Sequence, residues 1–269
     1  MKILGKIAAV VATVALAVAF VGAGFLVCTT PPVTHMLANM FSDDVTSPFS
    51  RSQLVQVAEA TRDYSFGSHD KAALYRAIYR VDAQYQQLVE DAGGVVPIGF
   101  PQLYVVAEGA DGPGADSVKA TQYSAVFNGA SEMYCFSPET ISHLDDCYNL
   151  ARIAYPLIIV AAIVGIALLV LVGVTGRKRA VGRVLLAAGI AVLVVFAGLG
   201  VWAAIDFAGF FTLFHNLFFS QGNWTFPFDS LLICALPTPF WAGMGVVWLV
   251  VTLLVCVVSI LVGRRLVRR

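Results

Sequence analysis

Ala154-Tyr-Pro-Leu-Ile-Ile-Val-Ala-Ala-Ile-Val-Gly-Ile-Ala-Leu-Leu-Val-Leu-Val-Gly-Val174 contains no charged side chain, and Arg177-Lys178-Arg179 follows it almost at once. As a helix, a run of this length spans about 30 Å, the thickness of a bilayer's hydrocarbon core. A core helix of a water-soluble domain would be shorter and polar along one face. Residues 7–27, 185–205 and 241–262 form three further runs of the same kind. The expected fold is therefore mainly α, a four-transmembrane-helix bundle.

The charges between the runs set the expected orientation. Lys2, Lys6, Arg177, Lys178, Arg179, Arg183, Arg264, Arg265, Arg268 and Arg269 make up ten of the seventeen basic side chains, and they flank the runs on one side. All seventeen acidic side chains fall on the other. Short Lys/Arg-rich flanks stay in the cytoplasm. Both termini are thus expected inside, in a multi-pass protein of the cell membrane. The expected divisions are helix one at 1–28, an extracellular cap at 29–150, helix two at 151–176, a cytoplasmic link at 177–184 and helix three at 185–205. An outer loop rich in aromatics and histidine at 206–240, helix four at 241–263 and a basic cytoplasmic tail at 264–269 complete the chain. The zero net charge sums two segregated populations. No basic face points to nucleic acid.

The first run is longer than the core of a cleaved signal, and no clear small-x-small site follows it. Phe25-Leu26-Val27-Cys28 echoes a lipoprotein signal, but the residue before such a cysteine should be small and is Val27. An anchor helix is expected. Cys28, Cys234 and Cys256 lie in or near the runs as small apolar fillers. Cys135 and Cys147 lie outside, where an oxidising compartment permits either a disulfide or free thiols.

Within 29–150, Pro31-Pro32 is expected to end the first helix. Residues 68–92 read as an amphipathic helix, with Leu74, Ile78, Val81, Tyr85 and Leu88 at three- and four-residue steps. Residues 50–62 read as a second helix. Gly93-Gly94 is a stop, and 109–114 a turn-rich break. Residues 103–106 and 123–127 are expected as short strands. Ser137-Pro138-Glu139 opens a helix: serine caps it, proline fits its first turn and glutamate faces its positive end. That helix carries His143, Asp145, Asp146 and Tyr148, and it is expected to continue past Pro156 into the second span.

The other outer segment is dense in aromatics. Phe207, Phe210, Phe211, Phe214, Phe218, Phe219, Trp224 and Phe226 surround His215 and Asp229. An aromatic belt at the headgroup level accounts for such a composition. A belt does not need a histidine inside its apolar run, nor an Asn-Trp-Thr-Phe-Pro-Phe-Asp turn. His35 and His69 stand in polar stretches and are expected to be solvated. His143 and His215 are expected at one depth, just outside spans two and three. Asp146, three residues after His143, shares its helix face and is positioned to hold an imidazole tautomer, as in histidine general bases. The alternative is a capping network that ties the outer segments to the bundle.

At these residues the chain resembles the lipoprotein intramolecular transacylases, the Lit family. His143-Leu-Asp-Asp146-Cys-Tyr-Asn-Leu150 is similar to that family's His-x-x-Asp-Val-Lys-x-Leu element. Phe214-His215-Asn-Leu-Phe-Phe-Ser-Gln-Gly-Asn-Trp224-Thr-Phe226-Pro227-Phe-Asp229-Ser-Leu-Leu-Ile, with Pro237 and Phe240 after it, is similar to the second signature almost throughout. Cys147 and Tyr148 stand where the family has Val and Lys. The cap is longer than the family's, with residues 68–92 the expected insertion.

The resemblance implies transfer of the sn-2 acyl chain of a bacterial diacylglyceryl-cysteine lipoprotein to that cysteine's α-amine, giving a lyso-form lipoprotein. It implies diacylated lipoprotein substrates in contact with membrane lipid, and no cofactor or metal. His143 and His215 are then the catalytic pair, as base and proton or oxyanion donor in either order. Asp146 orients the base. Asp229 orients His215 or binds the substrate ammonium. Phe210, Phe211, Phe214, Phe218, Trp224 and Phe226 are the expected pocket walls. Cys147, one turn from His143, is a weaker candidate nucleophile. Two other classes stay open: a metal-dependent membrane hydrolase using His143, Asp146 and His215 as ligands, and a non-enzymatic sensor or assembly subunit. The spans hold no buried charge pair, which disfavours an ion-coupled transporter. Asn223-Trp-Thr225 is a formal glycosylation sequon expected to arise by chance.

Overall fold

A computed structural model describes residues 2–103, 120–174, 178–219 and 222–268. Among these residues there are ten helices and no strand. They are α1 Lys2–Cys28, α2 Pro31–Phe41, α3 Arg51–Phe66, α4 Lys71–Asp91, α5 Ala120–Val126, α6 Pro138–Val174, α7 Lys178–Ile205, α8 Phe207–Phe218, α9 Leu231–Ala235 and α10 Thr238–Arg268. Four of them, α1, α6, α7 and α10, are long and apolar enough to cross a membrane. The chain divides into two compact units, one of residues 1–30, 152–214 and 244–269, the other of 31–151 and 215–243.

The first unit packs by close approach of small residues. Ala12, Leu16, Val184 and Ala188 form a buried seam between α1 and α7. Trp248 on α10 donates its indole N–H to the carbonyl of Val21 (2.9 Å), and its ring lies where a side chain at Gly24 would have to stand. Gly182 and Gly263 face each other so closely that a Cβ on either would sit 2.7–2.8 Å from the other's carbonyl oxygen. Such small-residue contacts let helices associate where hydrocarbon supplies no hydrophobic drive. Val14, Ile163, Ile166, Val195 and Leu254 point outwards and exposed, a surface suited to lipid chains rather than water.

The second unit has the core of a small helical domain. Pro31 both follows the end of α1 and occupies the first turn of α2, where its missing N–H costs nothing, so the Pro-Pro pair starts a helix as well as stopping one. Ser50 and Gln53 form a capping box on α3. Asp70 caps α4 by accepting from the N–H groups of Ala72 and Ala73. Leu74, Ile78 and Val81 bury one face of α4, and Gly93, at φ 72°, ends it as expected. The strand expected at 123–127 is instead α5 with Phe127 following it. Tyr123 and Val126, one helical turn apart, are both buried, and the Tyr123 ring meets Tyr79 of α4 at 5.8 Å. That three-residue spacing suits a helix face and not a strand. The other expected strand, 103–106, lies outside the described residues beyond Leu103.

Asp82, also on α4, is fully buried, and neither carboxylate oxygen has a hydrogen-bond partner. Burial pushes its carboxyl well above the usual range.

Candidate functional site

α6 begins as its sequence predicts. The hydroxyl of Ser137 accepts from the N–H of Thr140 (3.3 Å), and the helix continues from Pro138 through Pro156 to Val174. His143 stands near its start, before the uncharged run that opens at Ala154. His215 stands in the last turn of α8. Both belong to the second unit. Their rings lie 6.0 Å apart, centroid to centroid, inclined by 27°, and the two residues are only 8 % and 9 % exposed.

Aromatic rings enclose the pair. Phe219 packs edge-on to His143 at 4.7 Å and lies 5.5 Å from His215. Phe226 sits 5.7 Å from His143, and Trp224 sits 4.9 Å from His215. Gly222, at φ 75°, supplies the left-handed turn that returns the chain towards α6. Asn223 then ties this loop to the helix, donating to the hydroxyl of Ser142 (3.2 Å) and the carboxylate of Asp146 (3.1 Å).

No hydrogen bond joins Asp146 to His143. Its carboxylate is engaged by Asn223, while the thiol of Cys147 lies 3.7 Å from Nε2 of His143 and Nδ1 is buried without a partner. Burial holds His143 down at about 4; the nearby His215 adds to this and the charge of Asp146 opposes it. His143 is therefore neutral at physiological pH.

The remaining expected residues fall elsewhere. Phe210 packs on Trp202 and Phe207, and Phe211 on Phe207, all in the first unit, which also holds Phe214. Phe218 is 46 % exposed. Asp229 lies near the thiol of Cys234, which burial and the charges of Asp43 and Asp229 push up to about 11. Phe219, noted by sequence among the aromatics but not among the expected pocket walls, packs on both histidines, and Asn223 and Ser142, not among the expected site residues, join the loop to α6. The Asn-Trp-Thr sequon drew attention to Asn223 for another reason. Among the described residues, no three His, Cys, Asp or Glu side chains converge as a metal site would require.

Cys135 and Cys147 are both free thiols. Cys135 hydrogen-bonds to the carbonyls of Ala130 and Ser131. His35 meets the carboxylate of Glu59 at 2.7 Å. His69 is not simply solvated. Its ring is sandwiched between Tyr64 (4.3 Å) and Tyr148 (3.8 Å), with Asp145 3.6 Å from Nε2 and the hydroxyl of Tyr64 donating to the same carboxylate. Its backbone is left-handed, at φ 55°.

These features define a helical protein with four span-length apolar helices and a buried histidine pair walled by aromatic rings. Residues 118–241, which include both histidines, match the family described as lipoprotein intramolecular transacylase Lit. No curated protein and no solved structure matches the chain.

Proposed function

We propose that this chain is an acyltransferase that moves the sn-2 acyl group of a diacylglyceryl-cysteine lipoprotein to the α-amine of the same cysteine. The observation that carries this is the burial of two imidazoles 6.0 Å apart inside the stretch that matches the family.

Donor ester and acceptor amine belong to one substrate, so the site's main task is to fold that headgroup until they meet. Ordering of this kind contributes about 7–11 kcal/mol in favourable cases. Phe219, Trp224 and Phe226 supply rigid walls that exclude water. The neutral amine attacks the ester carbonyl. Its nitrogen then becomes cationic and strongly acidic, so a weakly basic imidazole suffices to take the proton. A hydrogen-bond donor stabilises the oxyanion. As the C–O bond breaks, the proton passes to the departing glyceryl oxygen. One N–C bond forms, one C–O bond breaks, and nothing is oxidised or reduced.

The test is a lipopeptide mass spectrum from cells lacking other N-acylating activity. With this chain expressed, a reporter lipoprotein should carry an N-acyl group and a lyso-glyceryl group at unchanged total mass. A diacylglyceryl cysteine with a free amine in every sample would refute the reading.

The same reading places residues 29–150 and 206–240 outside the cell, where lipoproteins carry their anchors, with both termini inside. The segregation of charge across the four runs supports this. A fluorescent protein that matures only in the cytoplasm, fused after Arg269, should glow. A dark but full-length fusion would invert the orientation.

A further inference from the structure

We infer that α2 is a helix seated in the plane of the membrane, with Pro32, Met36 and Met40, and Phe228 beside its C-terminal end, lying among the headgroups and upper acyl chains of a bilayer. The partner is a lipid surface, and apolar contact is what holds it. The inference does not depend on the acyl-transfer reading. It requires only that the four long helices cross a membrane.

Two constraints set the height of α2. It begins at Pro31, directly after α1 ends at Cys28, whose thiol lies 3.4 Å from the carbonyl of Met244. Towards its other end, a side chain at Gly243 would stand 2.9 Å from Leu37 and 3.0 Å from Phe41. Gly243 and Met244 stand near the start of the uncharged run 241–262, so both ends of α2 are held at the level where that run begins. A helix continuing the direction of α1 would carry Phe41 about 20 Å beyond Cys28, out of reach of Gly243. α2 therefore runs along the surface from which the spans emerge. Phe228 shares that level. The N–H of Asp43, just past α2, donates to the carbonyl of Cys234 (2.8 Å), and the thiol of Cys234 donates to the carbonyl of Phe228 (3.9 Å).

The chemistry of α2 sets it apart from the water-facing helices of the same unit. Thr34, Leu37 and Ala38 face inwards. On the opposite side Pro32, Met36 and Met40 repeat at four-residue steps, with Met36 46 % and Met40 59 % exposed, and Phe228 is 77 % exposed. α2 contains no Asp, Glu, Lys or Arg. Its polar edge, His35 with Asn39, turns to α3, where His35 meets the carboxylate of Glu59. α4 by contrast exposes Arg80, Gln84, Gln87, Glu90 and Asp91. A helix open to water carries charged and polar residues on its outer face. An apolar outer face with a polar edge is the form of a helix that lies in a membrane interface, sunk by about 5–10 Å. The unbranched side chain of methionine adapts to such fluid surroundings. With no basic residue on α2, and with Asp43, Asp44 and Asp229 beside the patch in sequence, the attachment gains nothing from anionic lipid.

The test places a nitroxide on single cysteines of the full-length protein in phosphatidylcholine vesicles. It compares collisions with oxygen, which concentrates in lipid, and with a water-soluble nickel chelate. Met36→Cys, Met40→Cys and Phe228→Cys report the patch, while Gln87→Cys on α4 and Ile163→Cys on α6 give the water and mid-span limits. The unsubstituted protein, whose thiols are buried or half-buried, sets the labelling background. The oxygen-to-nickel ratio at the three patch positions should exceed that at Gln87 several-fold, fall below that at Ile163, and stay unchanged when phosphatidylglycerol is added. A patch ratio equal to that at Gln87 would put α2 in water and overturn the proposal. Weak collisions with both reagents would mean that protein, a second copy of this chain included, covers the patch, and would overturn it too. So would a patch ratio equal to that at Ile163, or one that rises only with phosphatidylglycerol. A water-like ratio at Ile163 itself would remove the spans and this inference with them, leaving the lipoprotein mass spectrum to decide the acyl-transfer reading.

Discussion

His143→Ala and His215→Ala should each reduce formation of N-acyl lyso-lipoprotein by about 100- to 10,000-fold, the range for losing a positioned proton-transfer or oxyanion group. The double variant should be little worse than either single one, because groups acting on one transition state are not additive. Both rings are buried and face each other at 6.0 Å, so each replacement also opens a hollow in the second unit. The measurement therefore pairs the reporter mass spectrum with size-exclusion of the purified protein, to separate lost chemistry from lost folding. Full product from either single variant, in a folded protein, would end the catalytic assignment. Acidity should act mainly through the substrate. An α-amine titrates near pH 8, whereas His143 is held at about 4, so activity lost between pH 8 and 6 does not report on His143.

Asp82→Asn should stabilise the second unit at neutral pH, increasingly so as pH rises. Asp82 is 0 % exposed and unpartnered at both oxygens. Its carboxyl is held well above the ordinary 3.8. A group whose pKa is raised in the folded state contributes most below its unfolded value, and that contribution is lost as pH rises towards the folded value. The slope is about 1.4 kcal/mol per pH unit. Asparagine has the same shape and no charge, so the variant should lack this slope. Thermal unfolding in micelles from pH 5 to pH 8 compares the two. A constant gap between wild type and variant would show that the carboxyl has a partner or contact with water. His143 works in the opposite sense: its depressed pKa favours the fold above about pH 6.5, and that contribution is lost as pH falls towards 4.

The four span-length helices were legible because a run without charge needs no periodicity to be recognised. α4 was legible from its apolar steps, and the start of α6 from three consecutive residues with distinct capping roles. The Pro31-Pro32 pair was half legible, since the residue that stops one helix also suits the opening of the next. Tyr123 to Phe127 misled because Tyr123, Val126 and Phe127 are residue types favoured in strands, whereas the packing of Tyr123 against α4 decided the outcome. The two histidines were singled out by an apolar run that had no need of one and by a carboxylate at helical spacing. Which neighbour would hold the imidazole was not legible. Spacing of three and of four both put a residue on the correct face, and only the position of Asn223, which engages Asp146, leaves His143 to Cys147. His69 was misread because its partners lie on other segments: Tyr64 at the end of α3, and Asp145 and Tyr148 on α6.

That last cluster joins two oddities that the sequence presents separately. Tyr148 stands where the resembled family has lysine, and residues 68–92 are the stretch expected from that resemblance as an insertion. Here they touch: the ring of His69, at the threshold of that stretch, lies flat on Tyr148 at 3.8 Å. A lysine at 148 would offer that ring no such face. Within the second unit, that stacking clasps the residues just before α4 to the outer end of α6.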